Sequence, residues 1–446
     1  MNDPLKKCPD LRLATWLPRA GQWVAWLNCW ALGWLLLGPG CALAKDPVSD
    51  SPPGAVATGH YRNLFVEAGH SPEQVTAKLN AAWQQLFHGD PANEAVYFAV
   101  GTNQNGALAY IRDIADHDVR TEGISYGMMI SVQMNQQAEF DALWNWARTY
   151  MYHAATNHPA YGYFSWSMQT NGVALDEMPA PDGEEYFVTA LFFAAARWGN
   201  GTGIFNYQAE AQRILHDLKD RPVAAGSTNT ESAVVELFQP DRKMVRFTPR
   251  RPHTEYTDPS YHLPAFYEIW ARRSTGANAA FWLDAATASR DFFAHAAHPV
   301  TALTPEYAHF DGSPWAAPWK AESVDFRFDA WRSAMNWSVD WSWWAKDTRA
   351  RERSDRLLTF FAGQGITNYV NQYTLDGQKL GHSHSPGLVA MNAVAALAAT
   401  NPQAKEFVEA FWAEPVPAGR YRYYDGLLYM MALLHVSGEF RAWEPH

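Results

Sequence analysis

The sequence predicts an all-α fold of about twelve helices in a single domain of about 400 residues. Apolar residues recur at helical spacing in twelve separate runs. Segments with β-propensity, such as Ala95–Val100, are short and scattered, and no interval has the low-complexity character of an interdomain linker. Twelve helices in six pairs, with irregular segments between the pairs, point to an (α/α)6 barrel with a cleft across one face. Periodicity supports the helices; the barrel is one way to arrange them. A closed helical toroid also suits a domain of this size, because one layer of helices wraps another instead of enlarging a single core.

Taken in order, residues 1–44 are expected to be a secretory signal peptide. Lys6, Lys7, Arg12 and Arg19 precede the Trp- and Leu-rich run Trp23–Leu37, Gly38-Pro39-Gly40 ends it, and Ala42-Leu43-Ala44 offers small residues to a signal peptidase. The apolar run is 15 residues, short of the ~20 needed to span a bilayer, and it contains Asn28, so no stable membrane association is expected. A lipoprotein cleaved at Cys41 is disfavoured by Gly38-Pro39-Gly40, and the product is expected in the periplasm or outside the cell. Residues 45–60 then form a linker to a domain at 61–446. The helical runs lie near 73–87, 121–134, 138–151, 185–198, 206–218, 261–272, 278–295, 327–344, 350–362, 386–399, 403–413 and 422–436. Long irregular segments at 88–120, 152–184, 219–260, 296–326 and 363–385 separate the pairs, and loops of that length in a compact domain usually carry function.

Cys8, Cys29 and Cys41 all fall in the leader, so the mature chain has neither disulfide nor thiolate chemistry, which suits a domain whose core suffices by itself. Without the leader the chain keeps 31 of 35 basic and 44 of 46 acidic residues, a net charge of -13. That surface argues against nucleic acid and anionic lipid as partners and is compatible with a neutral ligand. Sixteen of the 21 tryptophans lie beyond the leader; sugar rings pack their C–H faces on indole, although Trp also serves plain core packing.

Three acidic positions carry the candidate chemistry. In Arg120-Thr-Glu-Gly-Ile-Ser-Tyr-Gly-Met-Met129, Glu122 stands among small residues where an apolar helix begins. An N-cap at Thr121 with Glu122 favouring the helix dipole is the ordinary reading; a proton donor held beside a glycosidic oxygen is the other. Asp182, in Pro179-Ala-Pro-Asp-Gly-Glu-Glu-Tyr186, reads either as an N-cap or as a second acid. Asp329, in Phe326-Arg-Phe-Asp-Ala-Trp-Arg332, lies three residues before Arg332, so the two can pair on one helix face. An inverting glycosidase needs one carboxyl that stays protonated and one that activates water, in environments that push their pKa values apart. His382 and His384 stand at alternate positions, but no third ligand cluster accompanies them, so neither metal nor cofactor is expected.

These segments resemble glycoside hydrolase family 8, an (α/α)6-barrel family of inverting enzymes acting on β-1,4-xylan, β-glucans and chitosan. The resemblance runs from Tyr61-Arg-Asn-Leu-Phe65 to Phe440-Arg-Ala-Trp443 and is strongest to the reducing-end xylose-releasing exo-oligoxylanases. Asp258-Pro-Ser-Tyr-His-Leu-Pro264 and Arg422-Tyr-Tyr-Asp425 belong to it as well. It implies that Glu122 is the general acid, Asp329 the general base and Asp182 the third acid, which binds the central sugar. It further implies that Arg332 holds the base region, that Trp166 in Tyr163-Phe-Ser-Trp-Ser167 is a sugar platform, and that Tyr261 stands by the nucleophilic water. Asp325, one helical turn before Asp329, competes for the base position; only Asp329 has an arginine three residues later. His384, in His382-Ser-His-Ser-Pro-Gly-Leu388, matches a histidine that walls the leaving-group side and binds the free anomeric hydroxyl of a single sugar. The implied partner is a xylo-oligosaccharide. An endo-acting relative and a non-catalytic carbohydrate-binding protein are the competing readings.

Overall fold

The computed structural model describes residues 52–221 and 234–444. The expected signal peptide lies outside the described residues. Fourteen α-helices run in chain order among them: α1 (Ala55–Thr58), α2 (Leu64–Ala68), α3 (Pro72–His88), α4 (Thr121–Gln133), α5 (Gln137–Trp146), α6 (Pro181–Trp198), α7 (Tyr207–Asp220), α8 (Pro264–Arg272), α9 (Gly276–Ala296), α10 (Trp331–Trp344), α11 (Arg349–Gln364), α12 (Pro386–Ala395), α13 (Ala404–Ala413) and α14 (Arg422–Val436). Their starts are written in the sequence. Ser71 and Gln74 form a reciprocal capping box on α3, Asn206 caps α7, and proline opens α3, α6, α8 and α12. Each of the twelve expected runs contains or overlaps one of α3 to α14. The final stretch of the expected linker differs: α1 packs on α10 with Ala55 buried.

Two layers follow from how much of each helix is apolar. Along α4 every residue except Glu122 is buried, and α12 and α14 are buried almost all round. By contrast α7 buries Tyr207, Ala211, Ile214, Leu215 and Leu218, a single stripe at helical spacing. The inner helices pack in sequence, α4 on α6, α6 on α8, α8 on α10, α10 on α12 and α12 on α14, and α14 returns to α4. Outside them α5, α7, α9, α11 and α13 each pack on the inner helix that precedes them, and α3 packs on α14. A buried ion cluster ties the layers: Arg290 on α9 donates to Asp340 on α10 (2.7 and 2.8 Å) and to Glu268 on α8 (2.9 Å).

The segments between pairs are less irregular than expected. Tyr97–Asn103 pairs antiparallel with Gly106–Ile111, and Asp118–Arg120, Ser167–Gln169 and Ala174–Asp176 form a three-stranded sheet. Tyr256–Thr257 pairs with Ala308–His309. Most of the tryptophans among the described residues prove to be core, and Trp144, Trp146, Trp270, Trp282, Trp337 and Trp343 are fully buried. Their number therefore says little about sugar.

Candidate active site

The site is assembled where the inner helices begin. Glu122 is the second residue of α4, Asp182 of α6, Arg332 of α10 and Tyr423 of α14; Tyr261 lies just before α8, and His384 just before α12. The sheet strand Asp118–Arg120 leads into α4, and the Thr121 N–H donates to the Trp166 carbonyl at 3.0 Å, which sets Trp166 beside Glu122. Glu184 reinforces that placement by accepting the Phe164 N–H at 3.1 Å.

Neither capping alternative holds. Arg120, not Thr121, occupies the N-cap position of α4, without a side-chain cap, and the buried Thr121 hydroxyl has no partner. Ala180 occupies that position on α6. Glycine beside each carboxylate has a steric cause. A Cβ on Gly123 would stand 2.6 Å from the Tyr423 ring, and one on Gly183 would stand 2.5 Å from Thr121 Cβ. Gly123 thereby lets the Tyr423 hydroxyl donate to Glu122 Oε1 at 3.0 Å, and Gly183 lets α6 bring Asp182 against α4.

Arg332 gathers the three acids. Its Nη1 lies 3.0 Å from Glu122 Oε2, 2.7 Å from Asp182 Oδ2 and 2.6 Å from the Tyr126 hydroxyl. Nη2 donates to Asp329 Oδ1 at 3.0 Å. The guanidinium is 1 % exposed, so Asp329–Arg332 is no surface pair. Burial pushes the Glu122 carboxyl up to about 7; Arg332 opposes the rise, and Asp182 and Asp329 add to it. Burial also raises Asp182, against the pull of Arg332. Desolvation is thus the dominant cause at Glu122.

Asp325 pairs with Arg327 at 3.2 Å and is not among the ion-pair partners of Arg332, which are Glu122, Asp182 and Asp329. Tyr261 is buried, stacked on Phe247 with centroids 5.7 Å apart, and lies 5.9 Å from the Arg332 guanidinium. Two cavities meet at Glu122 and Asp329. One, of about 780 Å³, is lined by Trp166, Asp182, Tyr261 and Arg332. The other, of about 860 Å³, is lined by Trp331, Asn371, His384 and Tyr424. His384 is half-buried, and its Nδ1 donates to the Tyr369 carbonyl at 2.7 Å. Among the described residues no group of three His, Cys, Asp or Glu side chains is placed to hold a metal ion.

Sequence reasoning missed Tyr126 and Tyr423 as partners of the acids. Tyr126 follows Glu122 by four positions, a same-face signal available in the sequence. Tyr423 has no local signal, since it reaches Glu122 across 301 residues. Asp258 was also missed; it is fully buried, accepts the Ser260 N–H at 2.7 Å and keeps Oδ2 without a partner.

The model of glycosyl hydrolases family 8 matches residues 101–438. A reducing-end xylose-releasing exo-oligoxylanase, Rex8A from Paenibacillus barcinonensis, is 40 % identical over 392 residues, covering 87 % of this chain and 98 % of that one. A protein of the same description from Halalkalibacterium halodurans is 40 % identical over 396 residues, covering 88 % and 97 %. The crystal structure of a catalytic mutant of a family 8 xylanase from Teredinibacter turnerae, in complex with xylohexaose, is 59 % identical. It superposes with a TM-score of 0.85 over 88 % of this chain and all of that one. With its carboxylates gathered at the helix starts and most of its length matched, the chain belongs to glycosyl hydrolases family 8 and is a glycoside hydrolase.

Proposed function

We propose that this hydrolase cleaves β-1,4-xylosidic bonds of xylo-oligosaccharides with inversion, on an (α/α)6 barrel. The observation that carries the reading is one guanidinium holding Glu122 and Asp182 on Nη1 and Asp329 on Nη2, at the junction of two cavities. Glu122, with its raised carboxyl, gives its proton to the leaving oxygen. Asp329, whose side chain is 29 % exposed, takes a proton from the attacking water. Asp182 binds the central sugar, Trp166 supports it, and Tyr261 stands by the water. Substrate binding replaces solvent around Glu122 and favours the neutral acid further.

Release of a single xylose from the reducing end is supported by the two exo-oligoxylanase relatives and by His384 on the leaving-group side. One observation favours a second reading, internal cleavage of longer chains. The leaving-group cavity, about 860 Å³, is no smaller than its counterpart at about 780 Å³, and the Teredinibacter turnerae relative is a xylanase. Labelled xylotriose followed by NMR, with chromatography of xylan digests, separates them. Exo action yields xylose from the reducing end, α-configured xylobiose and little attack on xylan; reduced oligosaccharides become poor substrates. Ready attack on long xylan establishes the endo reading, and a β-configured product sinks inversion.

A further inference from the structure

Away from the carboxylates, the cavity that holds Trp166 runs out to the turn Arg250-Arg251-Pro252-His253 and to Trp319. Trp319 is 53 % exposed, and His253 stands edge-on to its indole with centroids 4.7 Å apart. Both arginines are exposed. Other arginines of this region are engaged. Arg246 pairs with Glu236 and Glu255 at 3.3 and 3.1 Å, Arg221 donates to the Tyr161 and Val234 carbonyls, and Arg120 pairs with Asp113, Asp116 and Asp118. Among the described residues the side chains of Arg250 and Arg251 make neither ion pair nor hydrogen bond. Arg250 bonds only through its main chain, to Thr248 Oγ1 and from the His253 N–H. The exposed carboxylate of this lining, Asp176, is turned to the Met178 N–H at 3.0 Å.

A guanidinium is charged at every relevant pH, and its planar fork matches a carboxylate. The chain carries a net charge of -11, so its field repels anions in general. Two cations that have no side-chain partner among the described residues reverse that locally at the lip of the cleft. A xylose backbone is neutral and has no exocyclic carbon to bear an acid, so an anion in this cleft must come from a branch. Resting on the xylosidic reading above, we propose that the cleft recognises xylo-oligosaccharides bearing a uronic acid branch on the side opposite His384. Arg250 and Arg251 pair with the branch carboxylate, and a sugar ring lies on Trp319.

The test is steady-state kinetics on xylo-oligosaccharides of equal backbone length, with and without one glucuronic acid branch near the non-reducing end. Two partly exposed ion pairs, each worth up to about fivefold, predict a KM about tenfold lower for the branched substrate at low salt. The gap should narrow as ionic strength rises to about 0.15 M and beyond. In Arg250→Gln/Arg251→Gln the ratio of the two KM values should approach one. An equal or higher KM for the branched substrate, or a ratio untouched by the double substitution, overturns the proposal. Calorimetry on Glu122→Gln with both oligosaccharides tells the failures apart. Neutral binding without branch preference sinks this proposal alone; no neutral binding together with no cleavage sinks the xylosidic reading, and this one with it.

Discussion

Arg332 stands on three carboxylates at once and opposes the rise that burial imposes on Glu122 and Asp182. Glu122→Ala and Asp329→Ala are expected to lower kcat/KM by ~10²–10⁴-fold, the usual loss for a positioned acid or base, with Asp325→Ala as the near-normal control. An inactive Asp325→Ala beside an active Asp329→Ala reverses the assignment. The protonated form of Glu122, the proposed donor, is present below its raised value and lost as pH climbs through about 7, so kcat/KM should fall along an alkaline limb near that pH. Tyr423→Phe removes a donor to the ionised carboxylate and should move the limb upward; a downward shift contradicts the geometry. Arg332→Met leaves three acids without their cation, costing about 3–5 kcal/mol in urea unfolding. The acids and Arg332 were legible because each sits in a short motif. Tyr423 was not, because its partner is distant in the chain.

Six helix starts converging on one cleft explain which elements could be read and which could not. The apolar runs marked α3 to α14 because an inner helix must be apolar nearly all round and an outer one along a stripe, both local patterns. Strands such as Tyr256–Thr257 and Ala308–His309 escaped, since each is two residues long and finds its partner far away. The closeness of α4 and α6 is equally hidden in sequence, yet Gly183 records it. Gly183→Ala should cost about 1–3 kcal/mol in thermal unfolding and lower kcat, because the new methyl displaces Asp182 from the cluster. Gly127→Ala is the comparison, since its Cβ meets side-chain atoms of Ile111 and Leu143, well down the helix. It should lose stability while retaining kcat/KM. Equal losses of kcat in both would remove the special role of the α4–α6 approach.

For the whole molecule, we infer export with cleavage near Ala44, motivated by the small residues at Ala42 and Ala44 after the apolar run. Mass spectrometry of the protein recovered from the producing cells should find a mature N-terminus close to Lys45 and no cysteine. A chain that keeps Trp23–Leu37, or lipid on Cys41, contradicts it. On this inference the exported product is cysteine-free and is expected to fold with no disulfide to wait for. The packing of α14 on α4 sets a different order of events. The Tyr423–Glu122 bond joins residues 301 apart, so Glu122 acquires this partner only after the last helix has been made and has docked. Until then the apolar faces of α4 and α14 lack each other, and Glu122 lacks its tyrosine partner. On the role proposed for Glu122, activity reports that α14 has docked, and a nascent chain still lacking that helix is expected to be inactive.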